Sequence, residues 1–249
     1  MSKNIVVVGA TSGIARALCH ELGQDGNRLL LAGRTREELD KCAADLQVRY
    51  HADVWVELFE ALDFATHAAF FERCLARFDG ELDGFVLCHG YMTNQETTEQ
   101  DWDEAQRTID VNFTSTVSLL MLAANYFELR KKGYIVALSS VAGDRGRMSN
   151  YTYGAAKAGL SAYLQGLRNR LHRAGVQVLT VKPGLVDTPM TAGLLDPQSP
   201  LVATPEKIAR DINQAIHKRK DTLYSPWFWR FIMGLIRVLP ERVSKRLKL

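Results

Sequence analysis

Short blocks of aliphatic residues alternate along this chain with longer stretches in which apolar side chains recur every three or four positions. The blocks fall at 4–8, 28–32, 54–59, 84–88, 133–139, 177–182 and 221–224. Continuous apolar runs of this length predict strands buried on both faces, the pattern of a parallel sheet. Helical periodicity occupies 14–24, 36–48, 66–78, 101–130, 151–174 and 205–218. This alternation predicts an α/β fold, a doubly wound parallel sheet of about seven strands with helices on both faces. No repeat, low-complexity segment or linker interrupts it. The expectation is therefore a single domain over 1–225, followed by a tail at 226–249. A ligand in such a sheet sits at the carboxyl ends of the strands.

The connections carry the candidate chemistry. The first block runs into Gly9-Ala10-Thr11-Ser12-Gly13-Ile14-Ala15, and then into a helical pattern with Leu18 and Leu22 on one face. Gly9 permits a tight turn, Gly13 permits close backbone approach, and a helix N-terminus favours an anion. Strand, glycine turn and helix together predict a pyrophosphate cradle in a Rossmann dinucleotide fold; the plainer alternative is a structural turn. The second block ends in Gly33-Arg34-Thr35-Arg36, with no acid before Glu37. An acid here would take a ribose 2′-hydroxyl, whereas Arg34 offers a planar fork suited to a 2′-phosphate, so the expected cofactor is NADP(H). Without a ligand, Arg34 is simply a solvated arginine at a helix start.

The segment 140–157 reads S-V-A-G-D-R-G-R-M-S-N-Y-T-Y-G-A-A-K. Tyr153 and Lys157, four residues apart, share one helix face. A cation beside a phenol favours the phenolate and is expected to lower the Tyr153 pKa, making it an acid/base near neutral pH. Ser140, thirteen residues earlier, is placed to hold a substrate oxygen. The spacing alone also fits an ordinary helix with a surface lysine. Arg145 and Arg147 lie between these residues and are candidates for a substrate phosphate or sugar hydroxyls, or else are plain loop arginines.

Taken together these residues resemble the short-chain dehydrogenase/reductase family over about 4–224. The resemblance implies that Tyr153 is the acid/base and that Lys157 binds the nicotinamide ribose and tunes the phenol. It implies that Ser140 positions the carbonyl, and that Asn112 in I-D-V-N-F holds a proton-relay water. It further assigns Asp63 in A-L-D-F to the adenine and Thr188 in V-D-T-P to the carboxamide. It also matches Pro183-Gly184 to the family's P-G turn after the sixth strand and makes Pro183, Gly184 and Val186 expected cofactor contacts. Two positions depart from the family pattern. Ala15 stands for the third glycine of the loop, and Cys88-His89-Gly90 stands for the usual N-A-G beside the cofactor, where Cys88 and Gly90 are expected contacts. The stretches S-S-V-A-G-D-R-G-R-x-S-N-Y-x-Y-G-A-A-K and K-P-G-L-V-D-T-P-M-T are similar to those of decaprenylphosphoryl-2-keto-ribose reductases, which reduce a keto-sugar on a polyprenyl phosphate. The resemblance also implies a homodimer or homotetramer built on the helices at 101–130 and 151–174.

Composition narrows the class. The apolar fraction of 47% and charged fraction of 24% are ordinary for a globular enzyme. The four cysteines, Cys19, Cys42, Cys74 and Cys88, show no paired spacing, which argues against a disulfide framework or a zinc site and for a reducing compartment. The first strand begins at residue 4, which leaves no room for a signal sequence, and the expected location is the cytoplasm or the cytoplasmic face of the membrane. The 187–204 segment, carrying proline and little periodicity, is expected to be a substrate lid.

The tail changes the picture. Residues 226–249 carry six Lys or Arg and one Glu, against a net charge of +3 for the whole chain, so the basic excess resides there. Trp227, Phe228, Trp229 and Phe231 open it. The run 227–239 spans roughly 20 Å as a helix, short of the ~30 Å hydrocarbon core. It is expected to lie in the interface of an anionic membrane, with packing on a subunit or over the active site as the alternative. Nucleic acid is not an expected partner. The expected activity is NADPH-dependent reduction of a keto-sugar, lipid-linked in the sense of the resemblance above. The alternatives are a reductase of another hydrophobic ketone (steroid, retinoid or acyl) and a non-catalytic, membrane-associated cofactor-binding scaffold.

Overall fold

A computed structural model of the chain describes residues 2–191 and 199–246. Its centre is a seven-stranded parallel sheet of β1 (Asn4–Val8), β2 (Arg28–Gly33), β3 (Val54–Leu58), β4 (Gly84–Leu87), β5 (Tyr134–Leu138), β6 (Gln177–Pro183) and β9 (Thr222–Ser225). Two short strands, β7 (Leu185–Val186) and β8 (Val202–Ala203), pair separately. The order across the main sheet is β3-β2-β1-β4-β5-β6-β9.

Burial on both faces explains the unbroken apolar blocks. In β1, Ile5 and Val7 enter one core cluster while Val6 and Val8 enter the other, and all four are fully buried. The first cluster is closed by α1 (Gly13–Gln24), α2 (Arg36–Tyr50) and α8 (Pro205–His217) through Leu18, Leu39 and Ile208. The second is closed by α3 (His67–Ala76), α6 (Ser115–Arg130) and α7 (Tyr151–His172) through Phe70, Leu119 and Leu160. Ala15 is fully buried within the first cluster, so the methyl in place of the third glycine fits between helix and sheet.

Two expectations need correction, and a third falls partly outside the described residues. The strand expected over 84–88 stops at Leu87. The helix expected over 101–130 is two helices: α5 (Trp102–Ile109) and α6 are joined by a π-turn, Asp110–Thr114, whose Ser115 N–H reaches back to the Asp110 carbonyl. Asp101 starts α5 by accepting from the Asp103 and Glu104 N–H groups, and a further helix, α4 (Gln95–Gln100), precedes it. The expected lid at 187–204 lies partly outside the described residues; its described ends form a single 3-10 turn, Pro189–Thr191, and β8.

The tail is folded onto the body, as the alternative to an interfacial helix has it, and only the outer face of its helix is left exposed. Helix α9 (Trp229–Val238) buries Trp229 and Met233 against Val141, with Leu185, Tyr224, Phe228, Ile232 and Ile236 packed around them. A short helix, α10 (Glu241–Ser244), follows. No helix among the described residues is long and apolar enough to cross a membrane.

Candidate active site

The chain moves outward from β1 through β2 to β3, then returns to β4 on the other side of β1. A crevice opens at such a reversal, beyond the carboxyl ends of the two diverging strands. Here it lies between the loop after Val8 and the loop after Leu87. Gly9 has φ 79°, and a Cβ on it would meet the His89 backbone nitrogen at 2.5 Å. Only glycine satisfies both the turn and the close approach. Ser12 is the N-cap residue of α1 but makes no capping bond, and its buried Oγ has no partner among the described residues. Unsatisfied donors at a helix N-terminus beside an orphaned hydroxyl suit an anion such as a pyrophosphate.

The crevice widens into a cavity of about 730 Å3. Its wall includes Gly9, Thr11, Ser12, Gly13, Ile14 and Arg34 at one end, Cys88 and Gly90 in the middle, and Ser140, Tyr153, Lys157, Pro183, Gly184, Val186 and Thr188 at the other. Two expected site residues stand outside it. Asp63 is exposed and opens a 3-10 turn, its carbonyl accepting from Thr66; Phe59, Glu60, Ala61 and Leu62 line the cavity in its place. Asn112 is fully buried in the π-turn behind the wall. Its Nδ2 donates to the Thr108 and Tyr91 carbonyls, at 2.8 and 2.5 Å, and its Oδ1 accepts from Tyr91 N. The side chain is thus committed to pinning the chain around Tyr91. A Cβ on Gly90 would touch Asn112 Oδ1 at 3.0 Å and Lys157 Nζ at 3.7 Å, so Asn112 braces the wall beside the lysine. π-Turns recur at functional sites, and no period in the sequence marked this one.

Arg34 has no ion-pair or hydrogen-bond partner among the described residues. Its neighbours are committed: Arg36 to Asp40 at 3.0 Å, and Glu37 and Glu38 to Lys41 at 2.8 and 3.2 Å. A free guanidinium therefore stands at the end of the cavity that follows β2.

At the opposite end, Ser140 follows β5; its Oγ accepts from the Ala142 N–H at 3.1 Å, and both it and Tyr153 line the cavity. Lys157, nearly fully buried, donates from Nζ to the Leu138 carbonyl at 2.9 Å and lies 5.6 Å from the Tyr153 ring centroid. The expected depression of the phenol is corrected. Loss of hydration raises the Tyr153 pKa to about 12, opposed by the neighbouring Ser140 hydroxyl. Burial also lowers Lys157 to about 8, with Cys88 opposing. At pH 7 the site therefore holds a protonated phenol beside a charged ammonium, the state needed to deliver a proton.

Cys88 and His89 both line the cavity. Burial raises the Cys88 thiol to about 12. It lowers His89 to about 3, so the imidazole is neutral. His89 Nε2 lies 2.9 Å from Ser115 Oγ and ties the cavity wall to α6, while Nδ1 is unpartnered among the described residues.

A network invisible in the sequence joins the remaining walls. Lys182, immediately before Pro183, pairs with Asp144 after the Ser140 turn, and Tyr224 Oη donates to the other Asp144 oxygen at 2.7 Å. Both charged side chains are less than a tenth exposed. The tail helix α9 lies behind this wall: a Cβ on Gly184 would fall 1.9 Å from Trp229 Nε1.

Comparison with known proteins agrees with this geometry. The family model described as short chain dehydrogenase matches residues 3–199. An uncharacterised oxidoreductase of Mycobacterium tuberculosis is 33% identical, covering 98% of this chain and 96% of that protein. One of Streptomyces coelicolor shows the same identity and coverage. Among solved structures, a short-chain dehydrogenase from Sphingobium yanoikuyae in complex with NADPH is similar with a TM-score of 0.83 at 23% identity, over 96% of this chain and 97% of that one. A single-site variant of actinorhodin polyketide ketoreductase with NADPH gives 0.80 at 21%, over 90% and 95%. The chain, with its serine, tyrosine and lysine gathered at the end of a dinucleotide cleft, belongs to the short-chain dehydrogenase family of oxidoreductases.

Proposed function

We propose that the protein is an NADPH-dependent reductase of a keto-sugar carried on a polyprenyl phosphate, and that it works against an anionic membrane. NADPH bound in the cleft would supply hydride to the carbonyl carbon. Tyr153 gives its proton to the forming alkoxide, and Ser140 and Tyr153 together stabilise charge on that oxygen. Lys157 holds the ribose end and keeps positive charge beside the phenol, while Asn112 fixes the backbone against which the lysine sits. The uncommitted Arg34 favours the 2′-phosphate of NADPH over NADH.

The observation that carries the membrane and lipid part is the two-faced helix α9. Its inner face, Trp229 and Met233, backs the cavity wall. Its outer face presents Phe231, Leu235 and Val238 at helical spacing, with Trp227 ahead of them, each about two-thirds or more exposed. The Trp227 ring packs edge-on against Phe231 at 5.8 Å. Arg230 and Arg237 on α9, and Arg242, Lys245 and Arg246 on or just after α10, are all exposed, while Glu241 is paired with Arg145. None of these five cations has a carboxylate partner among the described residues. Exposed aromatic and aliphatic groups in the same tail as such cations suit an anionic lipid surface, each cation contributing about 1 kcal/mol there. An active site backed by the adsorbed helix would meet a lipid-linked substrate at the interface.

Co-sedimentation with vesicles of mixed neutral and anionic phospholipid tests this. The parent is expected in the pellet, and the double variant Phe231→Asp, Leu235→Asp in the supernatant. High salt should weaken the parent's binding without abolishing it, because apolar contact is not screened. A parent that stays in the supernatant at low salt would remove the support for a membrane-borne substrate.

A further inference from the structure

The two arginines of the loop between Ser140 and Tyr153 have different surroundings. Arg145 is paired: its Nη2 lies 2.6 Å from Glu241 in the tail, and Nη1 donates to the Arg237 carbonyl at 3.4 Å. It is not part of the cavity wall. Arg147 lines the cavity together with Asn150, Ser140 and Tyr153. Its side chain is largely desolvated, and its Nε is shut off from solvent with no partner among the described residues. Its Nη2 contacts the Met233 thioether of α9 at 3.3 Å. The nearby carboxylate, Asp144, attracts it but is already held by Lys182 and Tyr224.

An arginine remains charged when buried, so a desolvated guanidinium without a carboxylate is costly unless a ligand answers it. Asn150 adds a second unpartnered group. It occupies the N-cap position of α7 but makes no capping bond, because Gln95 Oε1 accepts from Thr152 N in its place at 3.0 Å. The Asn150 Oδ1 is left buried and unpartnered among the described residues. A turn from the Asn150 N–H to the Arg147 carbonyl, 3.3 Å, holds the two residues together. One fork of donors and one bare acceptor thus stand in the same wall, at the end of the cavity that holds the Tyr153 phenol.

We infer that Arg147, with Asn150, forms a subsite for a phosphate ester of the substrate, Arg147 taking the anionic oxygens and Asn150 accepting from an adjacent hydroxyl. This deepens the keto-sugar reading and rests on it for the identity of the reacting ketone. The subsite sets which ketones are preferred. Arg147 is a specificity residue that takes no part in the proton transfer, and α9 holds it in place through Met233.

The test compares a phosphorylated keto-sugar with its unphosphorylated counterpart at saturating NADPH, so that the site at Arg34 is filled. For Arg147→Met, the preference ratio in kcat/KM, phosphorylated over neutral, is expected to fall roughly 10-fold to 100-fold, mostly through KM. Arg147→Lys, which keeps charge but loses the fork, should recover part of the ratio. Arg145→Met should leave the ratio as it is. NADPH titration and thermal unfolding of each variant establish that it is folded. Calorimetric titration of the NADP-loaded parent and Arg147→Met with a pentose 1-phosphate reads the subsite without turnover. Loss of binding in the variant is expected even if neither ketone is reduced by the parent, and that combination would refute the keto-sugar reading alone. Equal loss for both ketones, an unchanged ratio, or equal calorimetric binding by parent and Arg147→Met would overturn the phosphate subsite. If the phosphate-dependent preference appears only with vesicles present, a lipid headgroup rather than the substrate is the source of the anion, which also overturns it.

Discussion

The side chains of Tyr153 and Lys157 illustrate how burial and charge compete at one site. Spacing puts them on one helix face, yet the ammonium is partly engaged by the Leu138 carbonyl, and lost hydration dominates the phenol. The phenol is therefore a standing acid, and the group that titrates near working pH is Lys157. Its folded pKa, about 8, lies below the ordinary lysine value of 10.5, so the ammonium is present below about pH 8 and neutral above it. Tyr153 keeps its proton through this range. The kcat/KM for NADPH, which reports the free enzyme, should fall about tenfold per unit above pH 8 without a second loss before pH 10. A flat profile from pH 7 to 10 would contradict this. Tyr153→Phe should cost at least roughly 10²-fold in turnover while NADPH binding, read by fluorescence titration, stays near the parent value. Arg34→Ala should weaken NADPH by roughly 10-fold to 100-fold and NADH little, since a hydrogen bond to a charged group contributes about 1.5–3 kcal/mol.

Among the elements, the Pro183-Gly184 turn and α9 fit against each other with no room to spare. Trp229 occupies the space that any side chain at 184 would need. Gly184→Val is expected to displace α9, lower stability by about 1–3 kcal/mol as overpacking does, and make the tail more sensitive to protease. Trp229→Ala in the same background should relieve the clash. A single Gly184→Val variant as stable and protease-resistant as the parent would place Trp229 elsewhere. The Lys182–Asp144 pair holds the same wall by a different force. Each member is buried, so each depends on the other, and on Tyr224, for the solvation it gave up on folding.

For the whole molecule, the folded tail makes truncation and surface substitution separate experiments. Deleting 226–249 would uncover Val141, Leu185 and Tyr224 and leave Arg145 without Glu241. The deletion is expected to lower stability and impair reduction even of a small soluble ketone. The double variant Phe231→Asp, Leu235→Asp alters only the exposed face and should keep that activity while leaving the vesicle. Full activity of the truncated chain on a small ketone would show that α9 is dispensable to the wall.

The alternation of apolar blocks and helical stretches, together with residues 9–15 and the Tyr153–Lys157 spacing, determined the fold and the position of the cleft. Those features follow from local periodicity and from connections of few residues, which the chain order states directly. Other features depended on residues far apart in sequence meeting in space. The π-turn at Asn112, the Asp144–Lys182–Tyr224 network and the fate of the tail were of this kind. On sequence alone Arg145 and Arg147 are alike, and tertiary structure separated them by giving one a carboxylate from the tail and the other a cavity. The aromatic tail read as membrane-facing on composition; folding divided it, sending Trp229 and Met233 inward and leaving Phe231 and Leu235 outside. Hydrophobicity along a chain specifies that a helix needs an apolar partner, and only the packing of the surrounding elements decides which face finds one within the protein.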